Sequence, residues 1–356
     1  MRTKMVLPFS IILLSCVFAS CRKESETAYW PTVEWKLSIP QRVAMDASIL
    51  NGLDSVQDSL PGISSILAIR HGYLVYEKYY EGDATTFRPA YSMAKSVISA
   101  LIGIAIKQGL IQDADQKLVE FFPDNEILKA DPIAQRITLR HLLTMSDEIR
   151  NSGNAVESYF SDPKASKRII GDPGYKFSYS ELSAQVVSLI LTKVSRKTAL
   201  DFGKQYLFEP IGIKDVTWRV LKIDGTETNN GADGIKLTSR DFAKIGYLYL
   251  KKGTWENREL IPEKWIAEST VAQITTDASP DSFKYGFLWW VHAFKDQPCY
   301  LALGLGGQGV QIICIVPGLD LVAVVTNKER MRGSAVENVD ASMGVIEKFI
   351  IDSIRS

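Results

Sequence analysis

Tyr91-Ser92-Met93-Ala94-Lys95-Ser96-Val97-Ile98-Ser99-Ala100-Leu101-Ile102-Gly103-Ile104-Ala105-Ile106-Lys107 is the stretch on which the reading of the chain turns. Met93, Val97, Leu101, Ile104 and Ala105 recur at helical spacing, so residues 92–110 are predicted as a helix. Ile98, Ile102 and Ile106 fill much of the remaining face, which predicts a helix buried nearly all round. Just before it, β-rich runs at 65–70 and 73–80 flank His71-Gly72, a two-residue hairpin signal. After it, residues 137–145, 181–194 and 239–250 are apolar-periodic in the helical sense. Strand patterns return at 285–292, 300–303, 310–316 and 319–326, and an amphipathic helix over 336–354 closes the chain. Strands at both ends with helices between them imply one sheet assembled from distant segments, flanked by helices. The expectation is an α/β fold with an antiparallel sheet and an inserted all-helical lobe. The α/β part takes about 46–105 and 245–356, the lobe about 106–244. A cleft between two such lobes is where ligands usually bind.

Composition narrows the function. The 356 residues carry 41 Lys plus Arg against 41 Asp plus Glu, so no global field steers the chain toward nucleic acid or anionic lipid. Four cysteines are too few for a disulfide scaffold.

The first twenty residues read as a signal peptide: basic Arg2 and Lys4, then an apolar run from Met5 to Ala19 interrupted by Pro8. That run is shorter than the roughly 20 residues needed to cross a bilayer. It ends in Ala19-Ser20-Cys21 and turns polar at Arg22-Lys23-Glu24, a pattern that resembles the bacterial lipoprotein signal, with Cys21 as the lipidated residue. Leu13-Leu14-Ser15-Cys16 competes, but cleavage there would leave an apolar Val-Phe-Ala start. An exported protein of the bacterial cell envelope follows, with residues 21–45 as a tether and a lipid anchor as its membrane contact. Cys299 and Cys314 then remain, flanking the glycine-rich turn 304–309, and two buried free thiols are expected.

Several chemistries have no support. Gly304-Leu305-Gly306-Gly307-Gln308-Gly309 matches a dinucleotide pattern, but a strand rather than a helix follows, so a phosphate would meet no helix N-terminus. Three histidines, His71, His141 and His292, form neither a zinc motif nor an evident pair with a serine. Ser-x-x-Lys is the better candidate. It occurs at Ser20/Lys23, across the cleavage site, at Ser161/Lys164, broken by Pro163, and at Ser92/Lys95. Only the last opens a buried helix. Residues three apart share a helix face, with Cβ atoms about 5–6 Å apart. Ser92 sits at the N-terminal end, where free N–H groups favour developing negative charge. Lys95 lies among apolar neighbours, where desolvation would favour an amine able to act as a base toward Ser92 Oγ. The structural alternative is that Ser92 only caps the helix while Lys95 snorkels to solvent.

Two further stretches accompany this pair. Pro173-Gly174-Tyr175-Lys176-Phe177-Ser178-Tyr179-Ser180 introduces the helix at 181–194, and Gly304–Gln308 precedes a strand ending at Pro317. Together the three resemble the motif set of the serine β-lactamase and penicillin-binding protein superfamily, nearest its class C-like branch of esterases and 6-aminohexanoate-dimer hydrolases. Residues 137–144, 233–238, 253–265 and 285–290 fit in the family's order, and the resemblance covers about 50–350. It implies a β-lactamase/transpeptidase-like fold, Ser92 as acylated nucleophile, Lys95 as its partner and Tyr179 as proton shuttle. It also implies an oxyanion hole from the N–H groups of Ser92 and Gln308, with no metal or organic cofactor. Small-molecule esters, amides or peptides are the implied substrates.

This chain departs from the family pattern twice. Glu181 stands where asparagine is common, and a carboxylate beside Lys95 would weaken it as a base. Leu305 (or Ala302, in a shifted register) takes the place of the third-motif cation and cannot bind a substrate carboxylate, which counts against action on penicillins or D-Ala-D-Ala termini. A β-lactamase or DD-peptidase, and a non-catalytic protein that binds peptidoglycan fragments or β-lactams, stand as the alternatives to a hydrolase of esters or amides. Glu181, Gly306, Gly307 and Trp289 are the expected substrate contacts. Trp290 and Tyr285 are further candidates for the cleft wall, as is one of Tyr175 and Phe177.

Overall fold

The computed structural model describes residues 29–148, 171–223, 225–277, 283–307, 309–328 and 333–355. The signal segment, Cys21, Ser161/Lys164 and Gln308 lie outside these residues.

The centre is an eight-stranded antiparallel sheet. In chain order its strands are β1 (Ile63–Arg70), β2 (Tyr73–Tyr79), β3 (Ile274–Thr275) and β4 (Lys284–Tyr285), then β5 (Trp290–Phe294), β6 (Gln297–Gly306), β7 (Gly309–Val316) and β8 (Leu321–Asn327). The spatial order is β3-β4-β5-β6-β7-β8-β1-β2, so strands from opposite ends of the chain meet where β1 pairs with β8, Leu67 opposite Val324. His71 and Gly72 connect β1 to β2 with φ of 51° and 82°, the left-handed pair that a tight hairpin turn requires.

β7 and β8 are buried on both faces, and that is why they read as near-continuous apolar runs rather than alternating ones. Ile313, Ile315, Val322 and Val324 face one core. Val310, Ile312, Cys314, Val316, Ala323 and Val325 face the other. The first core is shared with three helices: α1 (Met93–Lys107), α2 (Glu181–Ser195) and α3 (Ser239–Leu250). The second is covered by α4 (Ala335–Val345), its continuation Ile346–Ile351 and the short turns around residues 47–56. Cys299 and Cys314 are both buried and unbonded.

The structure differs from the expected lobe in two places. Residues 217–237 form short strands, Thr217–Trp218, Val220–Ile223, Thr226–Asn229 and Ile235–Leu237, instead of helices. Helix α3 belongs to the sheet: Ser239 Oγ lies 2.8 Å from Ser65 Oγ. A Cβ on Gly246 would come within 2.7 Å of both Val322 and Ile313.

The expected tether is also corrected from Tyr29 onward. Trp30 packs in tilted geometry 5.3 Å from Trp255 and 5.7 Å from Tyr247, and Trp35 is buried. The Leu74 N–H donates to Lys36 O at 2.9 Å and the Ser38 N–H to Leu74 O at 3.1 Å, so this segment covers the open edge of β2. An uncovered edge is a template for pairing with another chain; covering it leaves residues 30–45 without a periodicity of their own. Trp35→Ala should therefore cost about 3–5 kcal/mol in urea unfolding, whereas a free tether would give under about 0.5 kcal/mol.

Candidate active site

Helix α1 starts where the chain is pinned on both sides. Arg88 and Pro89 pair with Leu237 and Lys236, and the Ala90 N–H donates to Ile235 O at 2.8 Å. Tyr91 then takes φ of 48°, a left-handed conformation rare outside glycine and frequent where a site is held under strain. That turn delivers Ser92 to the N-cap position, half-buried, and its hydroxyl makes no capping bond. It is engaged by Lys95 instead, whose Nζ donates to Ser92 Oγ at 2.9 Å. The helix-cap and snorkelling alternatives both fail here, because Lys95 is only 1% exposed.

The Lys95 amine has a second acceptor, Ala232 O at 3.0 Å. Both are neutral oxygens, and burying an ammonium or amine is tolerable only when such acceptors are fixed. A polar network fixes them. The Ala232 N–H donates to Asn230 Oδ1 at 3.0 Å and the Gly231 N–H to Gln185 Oε1 at 3.0 Å. Gln185 Nε2 also donates to Asn230 Oδ1, and Trp218 Nε1 holds Asn230 O at 2.7 Å. Three segments far apart in sequence thus aim one carbonyl at Lys95. The sequence reading missed this network, since no motif marks Gln185 or Asn230; only the polar interruption Asn229-Asn230-Gly231 ahead of the 233–238 stretch hints at it.

A cavity of about 690 Å³ opens above Ser92. Tyr179 forms part of its wall with Lys95 Nζ 5.0 Å from its ring centroid. It stacks on Trp290 at 6.0 Å and 18°. Phe177 completes the aromatic wall, while Tyr175 is 86% exposed and outside it. Tyr285 lies behind the wall, fully buried, 4.9 Å from Trp290 and 5.1 Å from Phe177. Burial pushes its phenol well above its ordinary pKa, so it stays protonated and serves as packing.

Trp289 is a correction. It is fully buried, 4.3 Å from Tyr249 and 5.5 Å from Tyr300, and does not line the cavity. An unbroken strand over 285–292 is expected from the sequence, but a turn interrupts it. The Gly286 N–H donates to Trp289 O at 2.8 Å, and Leu288 has φ of 61°. The turn resets the side-chain alternation, so Trp290 faces the ligand space. Helix α1 braces the turn through Ser96 Oγ, which donates to Leu288 O at 2.7 Å.

On β6, Leu303 and Leu305 line the cavity from alternate positions while Ala302 is buried beneath. Of the two positions expected for the third motif, Leu305 lines the cavity and Ala302 does not. β6 runs on past Leu301, its last residue paired with β5 (opposite Trp290), so the edge of residues 302–306 facing α1 has no strand beside it among the described residues. Gly304 and Gly306 allow the approach. A Cβ on Gly304 would lie 2.2 Å from Ala90 O, and one on Gly306 would lie 2.2 Å from the Tyr91 ring. Gly307 turns the hairpin with φ of 54°.

Glu181 is exposed at the first position of α2 and lines the cavity. The hydrogen bonds of the Lys95 amine go to Ser92 and Ala232. His141 is engaged structurally, its Nδ1 accepting the Thr138 N–H at 3.1 Å. Burial lowers its pKa and favours the neutral ring. His71 lies on Asp320 at 2.9 Å. No group of three or more His, Cys, Asp or Glu side chains suited to a metal ion is present among the described residues.

A sheet with one helical layer sharing its core with a lobe, and a Ser-x-x-Lys pair at the junction whose lysine is buried, define the β-lactamase/transpeptidase-like fold. The chain belongs to the beta-lactamase family, whose model matches residues 44–341; it is a hydrolase of the beta-lactamase superfamily. Over 294 residues it is 21% identical to the 6-aminohexanoate-dimer hydrolase of Paenarthrobacter ureafaciens, covering 72% of this chain and 74% of that one. Over 296 residues it is 24% identical to an uncharacterized protein of Alkalihalophilus pseudofirmus, covering 73% and 82%. Its fold is similar to that of a class C beta-lactamase from Rhodobacter sphaeroides, with a TM-score of 0.66, 17% identity and coverage of 83% and 98%.

The close approach of β6 to α1 generates a direct test. Gly304→Ala should push the strand from the Ser92 turn and lower turnover of an activated ester by about 100-fold, the effect of misplacement near 1 Å. Steady-state kinetics with a circular dichroism spectrum matching the parent checks it.

Proposed function

We propose that the protein hydrolyses an ester or amide through a covalent acyl-enzyme on Ser92. The observation that carries this reading is the 2.9 Å contact between the buried Lys95 amine and Ser92 Oγ at the floor of the cavity. With the amine neutral, Ser92 Oγ bonds to the substrate carbonyl carbon and its proton passes to Lys95 Nζ. The carbonyl oxygen becomes an oxyanion, received by the Ser92 N–H at the helix front and, in this proposal, by the N–H of Gln308. Such donors are each worth about 3–4 kcal/mol in the transition state. Tyr179 relays the proton from Lys95 to the leaving group as the C–O or C–N bond breaks. Water then attacks the ester and returns Ser92 with its proton. These steps use the chain's own groups and call for no metal or organic cofactor.

Leu305 at the third-motif position, with Leu303 beside it, makes that wall apolar. A carboxylate-bearing penicillin or D-Ala-D-Ala terminus finds no cation there, which favours esters or amides over β-lactams and peptidoglycan peptides. A non-catalytic role, binding peptidoglycan fragments or β-lactams, is motivated by Glu181 and by the missing third-motif cation; the hydrogen bonds of Lys95 to Ser92 and Ala232 favour a catalytic one. The resemblance of residues 1–26 to a lipoprotein signal further supports a domain held at the cell envelope by lipid on Cys21, with no role for nucleic acid.

Purified protein mixed with p-nitrophenyl esters should give a nitrophenol burst stoichiometric with enzyme, followed by slower turnover. Ser92→Ala should abolish the burst and lower kcat by about 10⁴-fold, and Tyr179→Phe should lower it by about 100-fold. A penicillin should turn over more slowly than the best ester. Undiminished activity in Ser92→Ala would overturn the proposal.

A further inference from the structure

Apolar exposure is concentrated on the segment that enters the fold. Val33 is 92% exposed, Leu37 71% and Ile39 57%, three of the four most exposed large apolar side chains among the described residues. They take odd positions of one short run, in which Trp35 turns inward and Glu34, Lys36 and Ser38 fill the even positions. Single exposed apolar residues are ordinary, but a cluster of them marks an interaction surface. The run is held at both ends. Thr32 Oγ1 accepts from Trp255 Nε1 at 2.8 Å, and Ala44 O accepts the Arg355 N–H at 2.9 Å. Between them the run hydrogen-bonds to Leu74 of β2, so the exposure belongs to a fixed surface rather than to a loose end.

We propose that Val33, Leu37 and Ile39 form a membrane-docking face, which rests the domain on the phospholipid surface that holds its anchor. The inference rests on the reading of Cys21 as the lipidated residue and adds how the domain sits. Chain length identifies the occupant. Seven residues separate Cys21 from Tyr29, and even fully extended they reach about 28 Å. A domain of this length has a radius of gyration of about 20 Å and is about 50 Å across. Lipid on Cys21 therefore keeps the bilayer on the side of the domain that carries Tyr29, four residues before Val33. Held there, the face needs little affinity of its own, because a short tether sets a local concentration of about millimolar. Lys36 Nζ lies 4.4 Å from the centroid of the Tyr29 ring, and lysine and tyrosine both suit the headgroup level. The cavity stands apart from this contact. β6, whose Leu303 and Leu305 line it, is four strands from β2, about 19 Å at the usual spacing.

Lipid contact can be read position by position. The lipidated full-length protein, in vesicles of phosphatidylethanolamine and phosphatidylglycerol, is labelled with the fluorophore NBD on one introduced cysteine. Cys299 and Cys314 are buried and stay unlabelled in the folded protein. Probes on Val33→Cys, Leu37→Cys and Ile39→Cys should be quenched about twofold or more by spin-labelled lipid, as insertion by about 5–10 Å requires. A probe on Val271→Cys, exposed beside β3 at the opposite edge of the sheet, should not be quenched. Adding Leu37→Glu and Ile39→Glu should remove the quenching at position 33 while the circular dichroism spectrum stays that of the parent. Probes at 33, 37 and 39 that stay in water overturn the inference. So do probes shielded from water but not quenched by lipid, as a second copy of the chain would shield them. Both results leave the anchor standing when mass spectrometry finds acyl chains on Cys21; an unmodified Cys21 overturns the anchor and the docking face together.

Discussion

A lysine amine sealed from water and held between two neutral oxygens is the constraint on which the rest of the site depends. Lys95 can occupy that position only if Ser92 Oγ and Ala232 O are both presented at hydrogen-bond distance. Each is presented by backbone that could not hold its shape alone. Ser92 follows a left-handed Tyr91 pinned between paired residues and the glycines of β6. Ala232 rides on a loop clamped by Gln185, Asn230 and Trp218. Helix, sheet edge and lobe therefore meet at one amine, and losing any of the three would leave a buried polar group unsatisfied.

The sheet explains why this convergence is rigid. Strands β7 and β8 are buried on both faces, with helices α1 to α3 sharing one core and α4 with its continuation covering the other. The chain enters and leaves through the pairing of β1 with β8, which ties the two ends of the domain together. The N-terminal segment from Tyr29 adds a last piece by covering the edge of β2, with Trp30 and Trp35 as its anchors. The ligand space then lies at the seam where the lobe's Phe177 to Glu181 meets the sheet's Trp290, Leu303 and Leu305.

Much of this was legible in the residues because it is periodic or local. The helical repeat beginning at Met93 located α1, and i to i+3 spacing alone placed Lys95 on the face of Ser92. His71-Gly72 marked its hairpin, and the repeat at 239–250 gave the bounds of α3. What escaped was set by tertiary contact. Trp289 and Trp290 are adjacent, and which one faces the cavity depends on a turn at Gly286–Trp289 braced by Ser96 from another element. The strands at 217–237 are two to four residues long, too short for any periodicity to show. Glu148 and Asp277 enter the cavity from separate loops, so nothing in their local sequence joins them to Ser92.

The direct measurement is where a serine-directed fluorophosphonate attaches when the purified protein is labelled and its peptides are mapped by mass spectrometry. A nucleophile made by the Lys95 contact predicts one adduct, on Ser92, lost when Lys95 is replaced by methionine. No adduct, an adduct on another serine, or equal labelling of Ser92 without Lys95 would contradict it.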